Sequence, residues 1–168
     1  MSSCEMPGTE KGRLDARVSD KGSRVHRFIP AMAPAESNAW HGVAVEDYKA
    51  PAAHHCGVER SVLAGTNGDA TRFQVRYFEI SPNGFSSREY HRHEHVVVVM
   101  RGTGEVWLDG TWHEVGFGDT VYVAPLEVHQ LRNRGAEPFG FLCVVDAERD
   151  SPVSVEVRAC EELGEPRA

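Results

Sequence analysis

Short apolar runs separated by turn residues dominate the chain between residues 57 and 150. The runs at residues 60–64, 73–80, 96–100, 105–108, 111–115, 120–124, 128–133 and 139–145 predict strands. Asp109-Gly110 between two of these runs predicts a tight hairpin turn, and Ser-Pro-Asn-Gly at residues 81–84 predicts another turn. No stretch of this region repeats its apolar residues with a helical period. The pattern therefore predicts an all-β domain, built as an antiparallel sandwich or barrel.

The segments that flank this region have a different composition. Residues 1–37 are polar and lack any period, which predicts a mobile N-terminal arm with a short extended piece at residues 25–29. Residues 38–56 predict an extended lead-in, whose apolar anchors, Trp40 and Tyr48 among them, could lie along the domain or reach a partner subunit. Residues 151–168 form a charged tail with one possible edge strand at residues 153–157.

Composition narrows the class of protein. The chain has 168 residues, the size of one domain, and its formal net charge of −7 argues against binding to nucleic acid phosphates. No apolar run approaches the length of a membrane span, so no membrane contact is expected. The chain begins without an apolar leader and its four cysteines are scattered, which favours a cytoplasmic protein over a disulfide-linked secreted one.

A cluster of imidazoles is the strongest chemical signal. Glu89, His91, His93 and His95 occupy alternate positions just before the apolar run at residues 96–100, so on one regular strand they would share a face. His129 arrives from a later predicted strand. Neutral imidazole is the commonest metal ligand in proteins, and several ligands that converge from two strands predict a metal site inside a small barrel.

The spacing of these residues resembles the two motifs of the cupin superfamily. Gly118, Pro125, His129 and Asn133 fit the second motif. The first motif fits when its register is anchored on Gly102, and its three ligand positions then hold Glu89, His91 and His95. This order exchanges a Glu and a His relative to the usual motif. The resemblance covers about residues 57–147 and implies a single antiparallel double-stranded β-helix, or jelly-roll barrel, often as a homodimer.

The resemblance also implies a ligand set and a pocket. One divalent ion, which in this family is Fe, Mn, Cu, Ni or Zn, is expected to bind Glu89, His91, His95 and His129. His93 is expected beside the ion or at the rim, although it could replace Glu89 as a ligand. The residues expected around the ligands are His93, Glu127 and Asn133. The residues expected to form the apolar wall are Val97, Val99, Trp107, Tyr122 and Phe141.

Three classes of function fit such a site. Three imidazoles and one carboxylate leave a divalent ion with a net charge of about +1, which favours a small, chelating, anionic substrate. We expect a dioxygenase-like oxygenase that acts on such a molecule inside the barrel. A redox-neutral, metal-dependent isomerase, lyase or decarboxylase is the first alternative, in which the ion polarises a carbonyl. A non-catalytic sensor of a small molecule or of the metal is the second.

Overall fold

A computed structural model describes residues 22–33, 36–48, 54–66 and 68–155. Within these residues the chain forms thirteen strands and no helix. The strands are β1 (Phe28–Ile29), β2 (Ala39–Trp40), β3 (Glu46–Asp47), β4 (Cys56–Ala64), β5 (Phe73–Phe85), β6 (Glu89–Tyr90), β7 (His95–Arg101), β8 (Thr103–Leu108), β9 (Thr111–Gly116), β10 (Thr120–Val123), β11 (Gln130–Arg132), β12 (Phe139–Asp146) and β13 (Val153–Ser154).

Nine of these strands form one curled antiparallel sheet. Its order is β10-β7-β12-β5-β11-β8-β9, and β4 and then β3 continue from β5. Two small sheets, β1-β2 and β6-β13, lie outside it. The predicted all-β, antiparallel jelly-roll barrel is confirmed. In the part of the chain that the structure describes, no helix has the length and apolarity needed to cross a membrane.

The inner face of the curled sheet carries the apolar core. Val97 and Val99 on β7 are 2% and 0% exposed, whereas Val96 and Met100 on the opposite face are 36% and 42% exposed. This alternation continues on the other long strands, because successive side chains of a strand point to opposite faces. The largest fully buried side chains include Phe139, Ile80 and Val106. The inner face of the sheet therefore carries both the apolar core and the site described below.

The two predicted turns have different outcomes. Asp109 and Gly110 connect β8 and β9 with φ angles of 47° and 75°, as a type I′ hairpin requires, so this prediction is confirmed. The turn predicted at residues 81–84 is instead a bulge within β5. Val58 pairs with Ile80 and Cys56 with Phe85, so four residues of β5 lie opposite the single residue between Cys56 and Val58. The extra residues bend the strand without ending it.

Part of the predicted arm and lead-in lies against the barrel. Phe28 pairs with Trp40, whose ring contacts Tyr77 of β5 edge-on at 4.9 Å between centroids. Arg24 forms a bidentate ion pair with Asp69. Residues 1–21 of the predicted arm, 49–53 of the lead-in and 156–168 of the tail lie outside the described residues. The mobility of the whole arm and a dimer contact by the lead-in stay predictions.

The predicted edge strand near the C-terminus is present as β13, which covers residues 153–154 of the expected 153–157. Val153 pairs with Tyr90 and Ser154 with Glu89. Asp150, three positions before Val153, thereby lies next to the histidine cluster. The tail is therefore part of the surroundings of the site.

We predict that Gly104→Ala lowers the free energy of unfolding by about 1–3 kcal/mol, the usual cost of overpacking a core. A Cβ atom at Gly104 would overlap the ring of Phe139, which is fully buried. Gly116→Ala is a matched control in the same hairpin, since the nearest atom to its Cβ would be Thr103 Cγ2 at 3.7 Å. Urea denaturation of the two variants measures the difference, and equal stabilities would contradict this account of the packing.

Candidate metal centre

Three histidines from different parts of the chain meet inside the barrel. His91 follows β6, His95 is the first residue of β7, and His129 lies just before β11. Each offers a ring nitrogen, and these nitrogens lie within 4.8 Å of one another. The backbone holds the two contributing segments together, because Glu89 and His129 exchange a pair of N–H···O bonds of 3.0 and 3.1 Å. The fold thus brings together ligands that are up to 38 positions apart in the sequence.

The Nδ1 atom of each ring has a partner. The His91 Nδ1–H donates to the backbone carbonyl oxygen of His93 at 2.7 Å, and the His129 Nδ1–H donates to that of Glu127 at 2.9 Å. His95 Nδ1 lies 3.6 Å from the sulfur of Cys143. A carbonyl oxygen only accepts, so in His91 and His129 the proton lies on Nδ1 and the lone pair on Nε2. Such contacts fix the tautomer and orientation of metal-binding imidazoles.

Two of the opposite ring nitrogens lack partners among the described residues. His91 Nε2 and His95 Nε2 are buried and have no hydrogen bond within the described structure. A buried polar nitrogen without a partner is costly, and native proteins rarely keep one without a reason. A divalent cation would satisfy both atoms at once. The residues present therefore fit a metal ion bound by His91, His95 and His129.

Electrostatics keeps these rings neutral. Burial, followed by repulsion from His129, lowers the pKa of His91 to about 4 and that of His95 to about 2. Burial also lowers the pKa of His129. The rings of His91 and His95 stack with centroids 4.5 Å apart, a contact that two protonated rings would oppose. Near neutral pH all three imidazoles have a lone pair available for a cation.

The carboxylate of Glu89 lies at the same cavity but outside this group of three nitrogens. Glu89 is 5% exposed, and the Tyr48 hydroxyl donates to its Oε1 at 3.2 Å. Its role as a fourth ligand stays a prediction. The structure gives it a position from which it can accept or donate a proton inside the cavity.

The residues predicted around the ligands have identifiable contacts. His93 is buried, stacks on His91 with centroids 3.7 Å apart, and bonds through Nδ1 to Asp150 Oδ1 at 2.7 Å. Asn133 donates to the carbonyls of Ile80 and Glu137, so it supports the barrel. Glu127 accepts from the Asp109 backbone N–H, while its own carbonyl orients His129. All three groups support the surroundings of the three histidines.

A cavity of about 40 Å³ adjoins the histidines. This is room for roughly three or four water-sized groups. Most of the surface of its wall is apolar, and the predicted residues Val97 and Phe141 contribute to it. The other apolar residues that line it are Val58, Phe78 and Leu131, and the polar ones are Tyr48, Arg76, Ser86, Ser87, Glu89, His95, His129 and Cys143.

Three predicted wall residues lie elsewhere. Tyr122 is 60% exposed on the outer face, because Val121 and Val123 take the inward positions of β10. Trp107 lies under the guanidinium of Arg88, whose Cζ is 4.3 Å from the ring. Val99 is part of the core and does not line the cavity. None of these three side chains lines the cavity beside the histidines.

Sequence reasoning missed four polar residues of the cavity, which are Tyr48, Arg76, Ser86 and Ser87. Arg76 lies two positions before Phe78 on β5, so the strand alternation alone would have placed it on the same inner face. Tyr48 comes from the lead-in, where no periodic signal marks an inward residue. Its contact with Glu89 depends on the path of the chain across the barrel mouth.

Known proteins resemble this chain in both sequence and fold. The family model "Cupin domain" matches residues 76–145. A cupin 2 conserved barrel domain protein of known structure from Rhodopseudomonas palustris is 37% identical, with a TM-score of 0.67, over 83% of this chain and 92% of that one. The chain belongs to the cupin family. The predicted resemblance is thereby confirmed.

Two further relatives of this cupin are enzymes by name. The 1-methylthio-D-xylulose 5-phosphate methylsulfurylase of Rhodospirillum rubrum is 38% identical over 114 residues, which cover 67% of this cupin and 72% of the relative. The polyketide cyclase RemF of Streptomyces resistomycificus has a structure with a TM-score of 0.67. It is 26% identical, over 83% of this chain and 89% of its own.

We predict that elemental analysis of the purified protein finds about one divalent ion per chain, in line with a single group of converging ligands. His91→Ala, His95→Ala and His129→Ala should each lose most of it. Glu89→Gln should lose much less, since its carboxylate lies outside the three-histidine group. His113→Ala, on the exposed side of β9, is the control. Full retention of the ion by His95→Ala would show that the ligand set is wrong.

A second prediction concerns the stability of the metal-free protein. His91 and His95 have folded-state pKa values below the ordinary 6.5, so the unfolded chain binds more protons than the folded chain below that pH. The free energy of unfolding should therefore fall as pH falls from about 6.5 towards about 4. Urea denaturation at several pH values measures this slope. The slope should be smaller for His91→Gln and unchanged for His113→Gln, and a flat profile for the parent protein would contradict the prediction.

Proposed function

We propose that this cupin is a mononuclear, divalent-metal-dependent enzyme that acts on a carbonyl-containing, anionic small molecule. One observation carries the proposal: His95, whose buried Nε2 has no partner among the described residues, lines a cavity together with His129 and the carboxylate of Glu89. A purely structural site would need no such cavity and no carboxylate beside it. The combination is typical of a centre that binds a substrate next to an ion.

The charges of the site favour an anionic substrate. Three neutral imidazoles leave the charge of a divalent ion uncompensated, and the nearby Glu89 reduces it to about +1. An ion bound by His91, His95 and His129 would act as a Lewis acid on a carbonyl oxygen of the substrate. The apolar wall, with Phe78, Val97 and others, lowers the dielectric around these charges and strengthens their effect.

The protein itself supplies a group for proton transfer. Glu89 lies in the cavity wall, and the hydrogen bond from Tyr48 fixes the direction of its carboxylate. A carboxylate in that position can remove a proton from the carbon next to a carbonyl and return it elsewhere. His93 helps to hold the site by stacking on His91 while Asp150 anchors it.

The names of two relatives favour the redox-neutral class over the oxygenase. Xylulose is a 2-ketose, so the methylthio group in the name of the Rhodospirillum rubrum enzyme is on the carbon next to the carbonyl. A polyketide cyclase also acts on a molecule that is made of carbonyl units. These names support chemistry at a carbon that a carbonyl activates. The oxygenase is the second candidate, because three protein nitrogens leave a metal ion with open positions for both substrate and dioxygen.

The test begins with chelator-treated protein reloaded with Mn(II), Fe(II), Ni(II), Cu(II) or Zn(II). Each form is incubated with a panel of small ketones that carry a carboxylate, a phosphate or a methylthio group, in air and without oxygen. Nuclear magnetic resonance in deuterated water then follows both turnover and exchange of the proton next to the carbonyl. We expect turnover or exchange that requires the metal but not oxygen.

The Glu89→Gln variant checks the proposed proton transfer. It should retain metal and lower kcat by roughly 10²- to 10⁴-fold, the usual contribution of a general base. Glu94→Gln, an exposed glutamate on the same segment, is the matched control and should behave as the parent. Consumption of oxygen coupled to turnover would favour the oxygenase instead. Tight binding without turnover for every metal would point to a sensor.

A further inference from the structure

Arg76 is a buried cation on the inner face of β5. Its side chain is 7% exposed and lines the cavity next to the histidines. It pairs in register with Cys143 on β12, as the next inward residue Phe78 pairs with Phe141. Arg76 thus occupies a place where an apolar residue would be expected from its neighbours.

The contacts of Arg76 within the described structure leave its charge uncompensated. Its Nη2 donates to Cys143 Sγ at 3.2 Å, its Cζ lies 5.2 Å from the ring centroid of Phe78, and its buried Nε has no partner. Burial raises the pKa of the Cys143 thiol, so the sulfur is neutral and only a weak acceptor. A buried guanidinium without a counter-ion is strongly unfavourable unless something else pays that cost.

Other arginines of this cupin show what a structural pairing looks like. Arg101 reaches the buried carboxylate of Glu79, and Arg132 pairs with Glu105 at 2.6 Å. Among the described residues, no carboxylate oxygen lies within the same 4.0 Å limit of an Arg76 nitrogen. Arg76 therefore lacks the carboxylate partner that Arg101 and Arg132 have.

A second arginine, Arg149, adds to the positive potential around Arg76. The pKa of Arg149 is lowered by burial and by repulsion from Arg76 and Arg60. Of these neighbours, Arg60 is compensated by Glu46 at 3.0 Å. The direction of the shift supports the geometric observation that positive charge accumulates where Arg76 lies.

The position of Arg76 relates it to the metal centre. The sulfur of Cys143 touches both Arg76 Nη2, at 3.2 Å, and His95 Nδ1, at 3.6 Å. A single side-chain atom thus separates the guanidinium from a candidate metal ligand. One small molecule in the cavity can therefore contact both the guanidinium of Arg76 and the histidines.

We propose that Arg76 is the binding residue for an oxyanion, a carboxylate or a phosphate, of the substrate whose carbonyl end lies at the three histidines. Guanidinium binds such oxyanions through charge-assisted, often bidentate hydrogen bonds, which would satisfy its Nε. The inference deepens the proposed function, since it rests on that function for the identity of the molecule but not for the binding of the anion. Arg76 is a specificity-determining residue in this account.

Thermal melting with inorganic phosphate or acetate tests the anion site directly. A ligand that binds only the folded state raises the Tm with its concentration, which gives an apparent Kd. For the metal-loaded parent we expect a rise with at least one anion, and the anion with the lower Kd identifies phosphate or carboxylate as the source. The rise should persist in the metal-free protein, because the proposed partner is Arg76 and not the ion.

Three variants make the experiment decisive. Arg76→Met preserves length and packing over Phe78 but should weaken anion binding by roughly ten- to hundredfold, the loss expected for hydrogen bonds to a charged group. Arg76→Lys should have an intermediate affinity, since it retains charge without the planar fork. Arg72→Met, at an exposed arginine four residues earlier and just before β5, is the matched control and should bind as the parent.

Several outcomes would overturn the inference. These are a parent protein that responds to neither anion, an Arg76→Met variant with unchanged affinity, and a response that disappears with the metal. If Arg76→Met does not fold, unchanged affinity in Arg76→Lys has the same meaning. Arg76-dependent anion binding without any metal-dependent turnover would instead contradict the proposed function alone, so the two failures are distinguishable.

Discussion

The site depends on how the backbone orients three neutral imidazole rings. Carbonyl oxygens hold the Nδ1 protons of His91 and His129, and a cysteine sulfur lies against that of His95. Each contact orients its ring, one nitrogen of each ring lies within 4.8 Å of the others, and burial keeps the rings unprotonated. The barrel supplies the remaining constraint, because the exchange of hydrogen bonds between Glu89 and His129 fixes the distance between the two contributing segments.

The two faces of β5 differ in whether their buried polar groups have hydrogen-bond partners among the described residues. On the outer face, Glu79 is buried but accepts hydrogen bonds from Tyr77 and Asn38 and pairs with Arg101. On the inner face, the Nε of Arg76 is buried and has no partner among the residues that the structure describes. Satisfied polar groups stabilise a fold, whereas unsatisfied ones are tolerated where a ligand completes them. Within one strand, Glu79 is therefore satisfied by the protein itself, whereas Arg76 has a donor that the proposed ligand would satisfy.

Membership of the cupin family describes the scaffold and leaves the chemistry to individual residues. The same fold hosts unrelated reactions, so the activity must be argued from the site. In this cupin the proposal divides the work among groups that line one small cavity: the histidines, Arg76 and the carboxylate of Glu89. Such a division lets a metal ion act on a carbonyl while a separate cation selects the substrate.

The resemblance to the cupin motifs implied the barrel, whereas the sequence by itself determined the strands, the hairpin at Asp109 and Gly110 and the alternate spacing of the histidines. These features follow from local rules, since alternation and turn chemistry act over a few neighbouring residues. The tertiary structure decided which inward residues face the cavity, because that depends on how the sheet curls. Tyr122, predicted in the wall, points outward because of the register of β10. Arg76, which was not predicted there, lies inward beside a thiol from β12. Strand alternation alone marks Arg76 as inward, but only the pairing of β5 with the distant strand β12 places it beside Cys143.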